Sequence, residues 1–413
     1  MRDFDIPFQF RSQYISKIKK IREEADKRKK DFAPSILSFE KVSILIPRHF
    51  GFCFGVQNAV EKAYEILEKY PDKKIYLISE IIHNPEVNGE LQESGLKFIQ
   101  NTKGEQLIDW NEIHSGDIVI TPAFGTTPEI EKILKEKKID VEKFDTTCPF
   151  VERVWNKGEA LGKEGYTIII HGNPHHEETR ATLARISQYT PAVIVSNKKE
   201  ADILKAFILK SALDKHDWGV FFKWKASEGF NFRKDLDRIA VVNQTTMLAS
   251  ETQNISNFLK EVMIEKFGTE QIDDHFGSTR DTLCYATYDN QTATKKMLEE
   301  KIDLAFVIGG YNSSNTKHIA ELMTEKCKTF YINTEKNLKD DLSLEHYNFK
   351  DDKLEYQNQG YLPSKEHITI ALSSGASCPD ATVERVMLKL LSFINPQANL
   401  NKAINDLAKQ YGL

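Results

Sequence analysis

From Val42 onward the chain repeats one arrangement of apolar and polar positions. A short apolar run ends in a small or polar loop, and a stretch of helical periodicity follows. The runs are VSILI, KIYLIS, DIVIT, YTIII, AVIV, RIAVV, LAFVI and ITIAL. Their shortness and their Val and Ile content predict strands buried on both faces, as in parallel sheets. Between them the spacing is helical. After the first loop, Val56, Ala59, Val60, Ala63, Ile66 and Leu67 make one apolar stripe. Strands alternating with helices predict an α/β class with small parallel sheets flanked by helices. Ligands in such folds bind at the carboxyl ends of strands.

Two other kinds of segment interrupt the pattern. Residues 1–40 read as an N-terminal extension. Ile15, Ile18 and Ile21 fall at helical spacing there, a charge run REEADKRKK follows, and Pro34 ends the segment. This predicts a solvated helix packed on the body. The stretch near 197–237 is polar and irregular and reads as an insertion of helices and loop between two strands. Residues 337–367 read the same way, with a Gln-Asn-Gln-Gly turn region.

Composition narrows the class. A chain of 413 residues predicts two or three domains. No apolar run approaches the roughly 18 residues that span a bilayer. The net charge is −5 with basic residues dispersed, which argues against a nucleic-acid surface. Five cysteines and no secretory signal in MRDFDIPFQF point away from a disulfide framework and towards a reducing, cytoplasmic compartment.

Three of those cysteines stand apart. Cys53 lies in HFGFCFGV, Cys148 in DTTCPFV and Cys284 in DTLCYAT, each just before a helical pattern. A helix N-terminus favours a thiolate through its free N–H groups and dipole. Each is therefore a candidate soft-metal ligand, although their wide spacing excludes a local metal finger. Other loops carry hydroxyls, amides and imidazoles: IIHNPEV with His83, HGNPHHEET with His175, His176 and Glu178, VVNQTTM with Thr245, GGYNSSNT with Ser313, Ser314 and Asn315, and SSGASCPDAT with Ser377. Any one of these is explained by helix capping. Five in one α/β chain point to a polar site for an anion, with diphosphate as the chemistry that fits.

Taken in order, GFCFGV, HNPEV, TTCP, HEET, NQTTM, LCYAT, NSSNT and GAS closely resemble the 4-hydroxy-3-methylbut-2-enyl diphosphate reductase family, in the longer branch typical of photosynthetic lineages. The resemblance implies three similar α/β domains around a central iron–sulfur cluster: 41–147, 148–274 with the insertion, and 275–395, followed by a tail over 396–413. It implies that Cys53, Cys148 and Cys284 hold one 4Fe–4S cluster whose fourth iron stays open to the substrate hydroxyl. His83, His176, Ser313, Ser314, Asn315 and Ser377 would bind diphosphate, Thr245 would orient the hydroxyl, and Glu178 would deliver protons. The implied reaction is reductive dehydroxylation to isopentenyl and dimethylallyl diphosphates, the last step of the non-mevalonate pathway. It takes two electrons, from a donor such as ferredoxin or flavodoxin, and two protons.

The chain departs from the family pattern at two positions. The shorter branch has a His in the loop that here reads TPAFGTT, and Phe124 stands in its place, with Thr126 and Thr127 as hydroxyls beside it. Tyr288 follows LCYAT where many relatives have Gln. Cys327 and Cys378 are expected to be packing residues. Two other classes stay open at this level: a non-redox iron–sulfur dehydratase, and a non-catalytic diphosphate-binding module.

Overall fold

A computed structural model of the chain describes residues 4–210, 215–277, 282–358 and 360–413. The chain divides into two compact units. One comprises Met1–Glu61, His83–Val87 and Tyr285–Leu413, and the other Lys62–Ile82 and Asn88–Cys284. All eight apolar runs form strands, and each lies in a parallel pairing.

The first unit is built on a five-stranded sheet. Its order is Ser35–Ser38, Val42–Ile46, Ile368–Ser374, Leu304–Ile308, Thr329–Ile332. Only the edge strand Ser35–Ser38 runs antiparallel, and it pairs with Val42–Ile46. Alternation along the strands divides the side chains between two cores. Ile44, Ile46, Phe306, Ile308, Ile370 and Leu372 face one. Leu45, Ala305, Val307, Tyr331 and Ala371 face the other. Sequence order groups Val42–Ile46 with the strands that follow it, in the segment 41–147. Its hydrogen-bonded parallel neighbour is instead Ile368–Ser374, with Ile44 opposite Ile370. The reason is burial: a continuous apolar strand must be covered on both faces, and a central place in this sheet covers it.

Two further segments differ from their sequence pattern. Residues 337–367 contain an antiparallel hairpin, Leu344–Asn348 with Lys353–Gln357, rather than helices and loop. Its alternation is masked by polar residues on both strands, most of them exposed or half-buried. Of the Gln-Asn-Gln-Gly turn, Gln359 lies outside the described residues. The strand Thr329–Ile332 also escaped the pattern because only its last three residues are fully buried. The tail over 396–413 holds the helix Leu400–Gln410, which places Leu400, Ala403, Ile404 and Leu407 in the core. The N-terminal helix Tyr14–Ala25 packs on the body, as expected, through Ile15 and Ile18.

The second unit carries two parallel sheets. One has the order Ala192–Val195, Thr167–His171, Ile239–Asn243, Phe276–Gly277. Ile169, Val193 and Val241 face one core and Ile168, Ile170, Ile194 and Val242 the other. The insertion contains the helices Lys198–Ile208 and Lys215–Phe221, as its polarity predicts. The smaller sheet has the order Lys97–Phe98, Ile75–Leu77, Ile118–Ile120. Among the described residues no helix is long and apolar enough to cross a membrane.

His49 gives the first unit a pH signature. Burial first, then the charges of Arg48, Lys29, Lys19 and Arg22, lower its pKa to about 4. In the unfolded chain a His titrates near ~6.5. Below that value the unfolded state takes up a proton that the folded state refuses, so stability falls as pH drops from about 6.5 towards 4. Denaturant unfolding across this window should show a shallower fall for His49→Gln than for the parent. Equal slopes would show that His49 is not refusing its proton.

Candidate active site

Each loop that carries polar chemistry leaves the carboxyl end of a strand and opens a helix, and in each unit these loops converge. In the first unit, Ser313 caps the helix Ser314–Thr324, its hydroxyl accepting from Thr316 N at 3.3 Å. Ser377 Oγ donates to the His83 carbonyl at 3.1 Å and lies 3.3 Å from Ser313 Oγ. Asn315 Oδ1 accepts from Ala376 N at 3.0 Å, and its Nδ2 donates to Thr287. His83, Ser313, Asn315 and Ser377 are all buried, while Ser314 is half-buried at the first helical position. The loops touch backbone to backbone. A Cβ on Gly310 would sit 2.5 Å from the His83 carbonyl oxygen, so only glycine permits this approach. Cys53 joins the same group, because its N–H donates to the Ala376 carbonyl at 3.2 Å.

In the second unit, His171 ends a strand and the HGNPHHEET loop turns into the helix Glu177–Ile186. His176 is the N-cap: its Nδ1 accepts from Glu178 N at 3.2 Å. A neutral imidazole that accepts at Nδ1 carries its proton on Nε2, which makes Nε2 a donor. Glu178 is 1 % exposed, yet its carboxylate is held at both oxygens. Thr245 N donates to Oε1 at 2.6 Å and Thr245 Oγ1 donates to Oε2 at 2.8 Å. Cys284 N in turn donates to the Thr245 carbonyl at 3.3 Å.

Cys148 caps the helix Pro149–Lys163, with its N–H on the Ala123 carbonyl at 3.0 Å. Burial pushes its thiol up to about 11. Hydrogen bonds from Phe150 and Val151 oppose that shift, and the charges of Cys284 and Glu178 add to it. Cys148, Cys284 and Glu178 are therefore within electrostatic reach of one another. None of the five cysteines is in a disulfide. Among the described residues no three His, Cys, Asp or Glu side chains converge tightly enough to hold a single metal ion.

The profile of the LytB protein family matches residues 44–391. The chain belongs to the LytB family. Relatives named 4-hydroxy-3-methylbut-2-enyl diphosphate reductase include one from Synechococcus sp., 38% identical over 357 residues and covering 86% of both chains. Another, from Picosynechococcus sp., is 40% identical over 352 residues, covering 85% of this chain and 84% of the relative. The solved structure of the E-1-hydroxy-2-methyl-but-2-enyl-4-diphosphate reductase from Plasmodium falciparum shares the fold. Its TM-score is 0.61 at 24% identity, covering 91% of this chain and all of the other.

In this LytB chain the departure at Phe124 has a definite consequence. The Phe124 ring packs edge-on against His176, with centroids 5.5 Å apart. It therefore seats an imidazole instead of donating a hydrogen bond. Of the two neighbouring hydroxyls, Thr127 is committed to capping the helix Pro128–Glu136. Thr126 is buried and lines a cavity of about 210 Å³ with Glu177 and Arg180. Tyr288 is 55 % exposed. Cys378 is fully buried in the first unit's core, where burial drives its thiol far up. Cys327 lies just past the helix Ser314–Thr324, with Sγ on the Met323 carbonyl. Cys327 lies outside the loop clusters described above, and Cys378, although next to Ser377 in its loop, has its side chain in the core.

The sequence pointed to Asn243 and Gln244 as polar groups of the VVNQTTM loop suited to an anion; in the structure they hold the neighbouring loops in place. Gln244 Oε1 accepts from both Asn173 N and Thr179 Oγ1 at 3.0 Å, which fixes the loop containing His176. Asn243 and Thr282 exchange hydrogen bonds at 2.8 Å across 39 residues and anchor the segment leading to Cys284. An amide directly after a buried strand, in VVNQ, was the available signal. Such a group must be satisfied internally.

The Thr245 contacts predict the stability of Glu178 variants. Glu178→Ala leaves the buried Thr245 N–H without its acceptor, a loss of about 1–3 kcal/mol. Glu178→Gln keeps a carbonyl acceptor and should lose less. Urea unfolding of the two variants checks the order, and an Ala variant as stable as the parent would contradict it.

Proposed function

We propose that this chain is a 4-hydroxy-3-methylbut-2-enyl diphosphate reductase. The reaction is reductive loss of the allylic hydroxyl as water, giving isopentenyl and dimethylallyl diphosphates. What carries the reading is that relatives bearing this name match about five-sixths of the chain at 38–40% identity. The geometry supports it. One unit gathers buried hydroxyls and an amide at helix starts, donors suited to a diphosphate. The other gathers a carboxyl group, a threonine hydroxyl and two thiols.

The residues then take the following roles. Cys53, Cys148 and Cys284 hold one 4Fe–4S cluster. The fit rests on their chemistry: three thiols outside any disulfide, each directly before a helix, with burial the largest influence on Cys148. Ligation to iron would supply the positive charge that favours a buried thiolate. When bound, the cluster supplies the two electrons and an open Lewis-acid iron. His83, His176, Ser313, Ser314, Asn315 and Ser377 bind the diphosphate, with His176 donating from Nε2. Thr245 orients the substrate hydroxyl. Glu178 delivers protons, and its two contacts to Thr245 fix the direction in which its carboxyl group is presented. The electron donor is a small redox protein of the ferredoxin or flavodoxin type, and the compartment is a reducing one.

Anaerobic purification, iron and sulfide analysis, and assay of the allylic diphosphate with a reduced donor test the whole reading. Two electrons consumed per turnover separate a reductase from a non-redox dehydratase. Protein that binds the diphosphate but holds no iron would support a binding module instead. Cys148→Ser should lower iron content and abolish turnover. Full iron and full activity in that variant would remove Cys148 from the cluster. Glu178→Gln keeps the shape but lacks a carboxylic proton. Its kcat should fall by at least about 10²-fold, as for loss of a general acid, with iron content retained. Near-parental turnover would place the proton source elsewhere.

A further inference from the structure

The N-terminal extension makes a set of contacts that converge on one short loop. Residues 50–54 carry Cys53 between the strand Val42–Ile46 and the helix Phe54–Lys69. Phe4 packs edge-on against Phe54 with centroids 5.2 Å apart, and Phe10 lies against Phe52 at 6.3 Å. Lys19 Nζ donates to the Phe50 carbonyl at 3.0 Å and stands 4.4 Å from the Phe50 ring centroid. Asp5 N donates to the buried Glu61 carboxylate, two turns along the helix that the loop opens, at 2.7 Å.

Beneath the loop, Lys19 pairs with Asp380 at 2.7 Å. Gly51 rests on that pair. A Cβ there would meet Asp380 Oδ1 at 2.3 Å and Lys19 Nζ at 3.1 Å, and Gly51 has φ +77°.

The extension is itself anchored. Gln13, the N-cap of the helix Tyr14–Ala25, gives no side-chain cap. Glu384 takes over, accepting from Tyr14 N at 2.6 Å, Ile15 N at 3.2 Å and the Ser12 hydroxyl. A carboxylate at a helix start is also favoured by the dipole. Ile15 and Ile18 are buried in the core, so the helix is held on its body side while Lys19 reaches the loop.

We propose that residues 4–22 form a strap that positions the Cys53 loop, with Phe10 and Lys19 as its positioning residues. The backbone of Cys148 is fixed by Ala123 and by Pro149 at the helix start. Outside the strap, Cys53 N donates to the Ala376 carbonyl at 3.2 Å and Phe54 N to the Tyr285 hydroxyl at 3.4 Å, and the strap adds the ring contacts and the Lys19 bond described above. The strap's service to a cluster ligand rests on the reading of Cys53 given above, whereas the strap itself does not.

The test uses the full chain without iron. Alkylation by iodoacetamide is followed cysteine by cysteine by peptide mass spectrometry, for the parent, Phe10→Ala, Lys19→Met and Lys19→Arg. Cys53 should be modified several-fold faster in Phe10→Ala and Lys19→Met, and near the parental rate in Lys19→Arg. Cys148 and Cys284 should be unchanged in all of them. An unchanged Cys53 rate in both Phe10→Ala and Lys19→Met overturns the proposal. So does equal acceleration at all three cysteines, which is general loosening. Should Phe10→Ala fail to fold, Lys19→Met and its Arg rescue carry the test alone. A second readout, iron release to a chelator from the loaded protein, separates the two ideas. Faster Cys53 alkylation with unchanged iron release keeps the strap and counts against Cys53 as a ligand.

Discussion

Strands buried on both faces have no side chain to spare for chemistry. The runs Thr167–His171, Ile239–Asn243 and Leu304–Ile308 are buried at every position. Their apolar residues serve cores, at roughly 1.5–3 kcal/mol for each large aliphatic side chain removed from water. Polar function is therefore confined to the loops at the strand ends. There the same hydroxyls, imidazoles and amides must also satisfy the open N–H groups of the helices that follow. Capping and ligand binding share residues here as a result. Ser313 and His176 are caps in the structure and diphosphate binders in the proposed function.

The same constraint explains what the sequence made legible. Continuous Val and Ile runs identified eight strands, and the polar loops after them were legible as strand-end loops that open helices. What stayed hidden depends on partners far away in the chain. Nothing near Val42 announces Ile368 as its neighbour. The hairpin Leu344–Asn348 with Lys353–Gln357 carries too little burial to leave a period-two signature. Gln244 and Asn243 read as groups for an anion, and their role as supports appears only when the residues they hold, 39 to 71 positions distant, are seen beside them. Motif order named the residues proposed to react, while the contacts that support them were visible only in three dimensions.

The contact between Thr245 and Glu178 shows how such supports act. A lone buried carboxyl group is costly, and one hydrogen bond would leave it free to rotate. Two bonds from one residue, backbone N–H and side-chain hydroxyl, fix both oxygens at once. Because Thr245 also accepts from Cys284 N, the carboxyl group and a thiol are registered against the same backbone unit. A small shift of that unit moves both together.

The pairing of Val42–Ile46 with Ile368–Ser374 governs how this chain is made as well as how it stands. A nascent chain emerges from its N-terminus, and Val42 waits through more than three hundred residues of synthesis before its neighbouring strand exists. Closing a loop of that length costs only modest entropy, since the cost grows with the logarithm of length. The delay matters more. Through most of translation the apolar strand Val42–Ile46 has one short antiparallel neighbour, Ser35–Ser38, and no parallel one. Exposed strand edges of this kind are where partly made chains aggregate. Residues 62–277 contain both sheets of the second unit and need nothing from the C-terminal strands to pair. The order of synthesis thus favours a body that folds early beside an unfinished sheet, making the interval before residue 374 the step at which chaperones have most to protect.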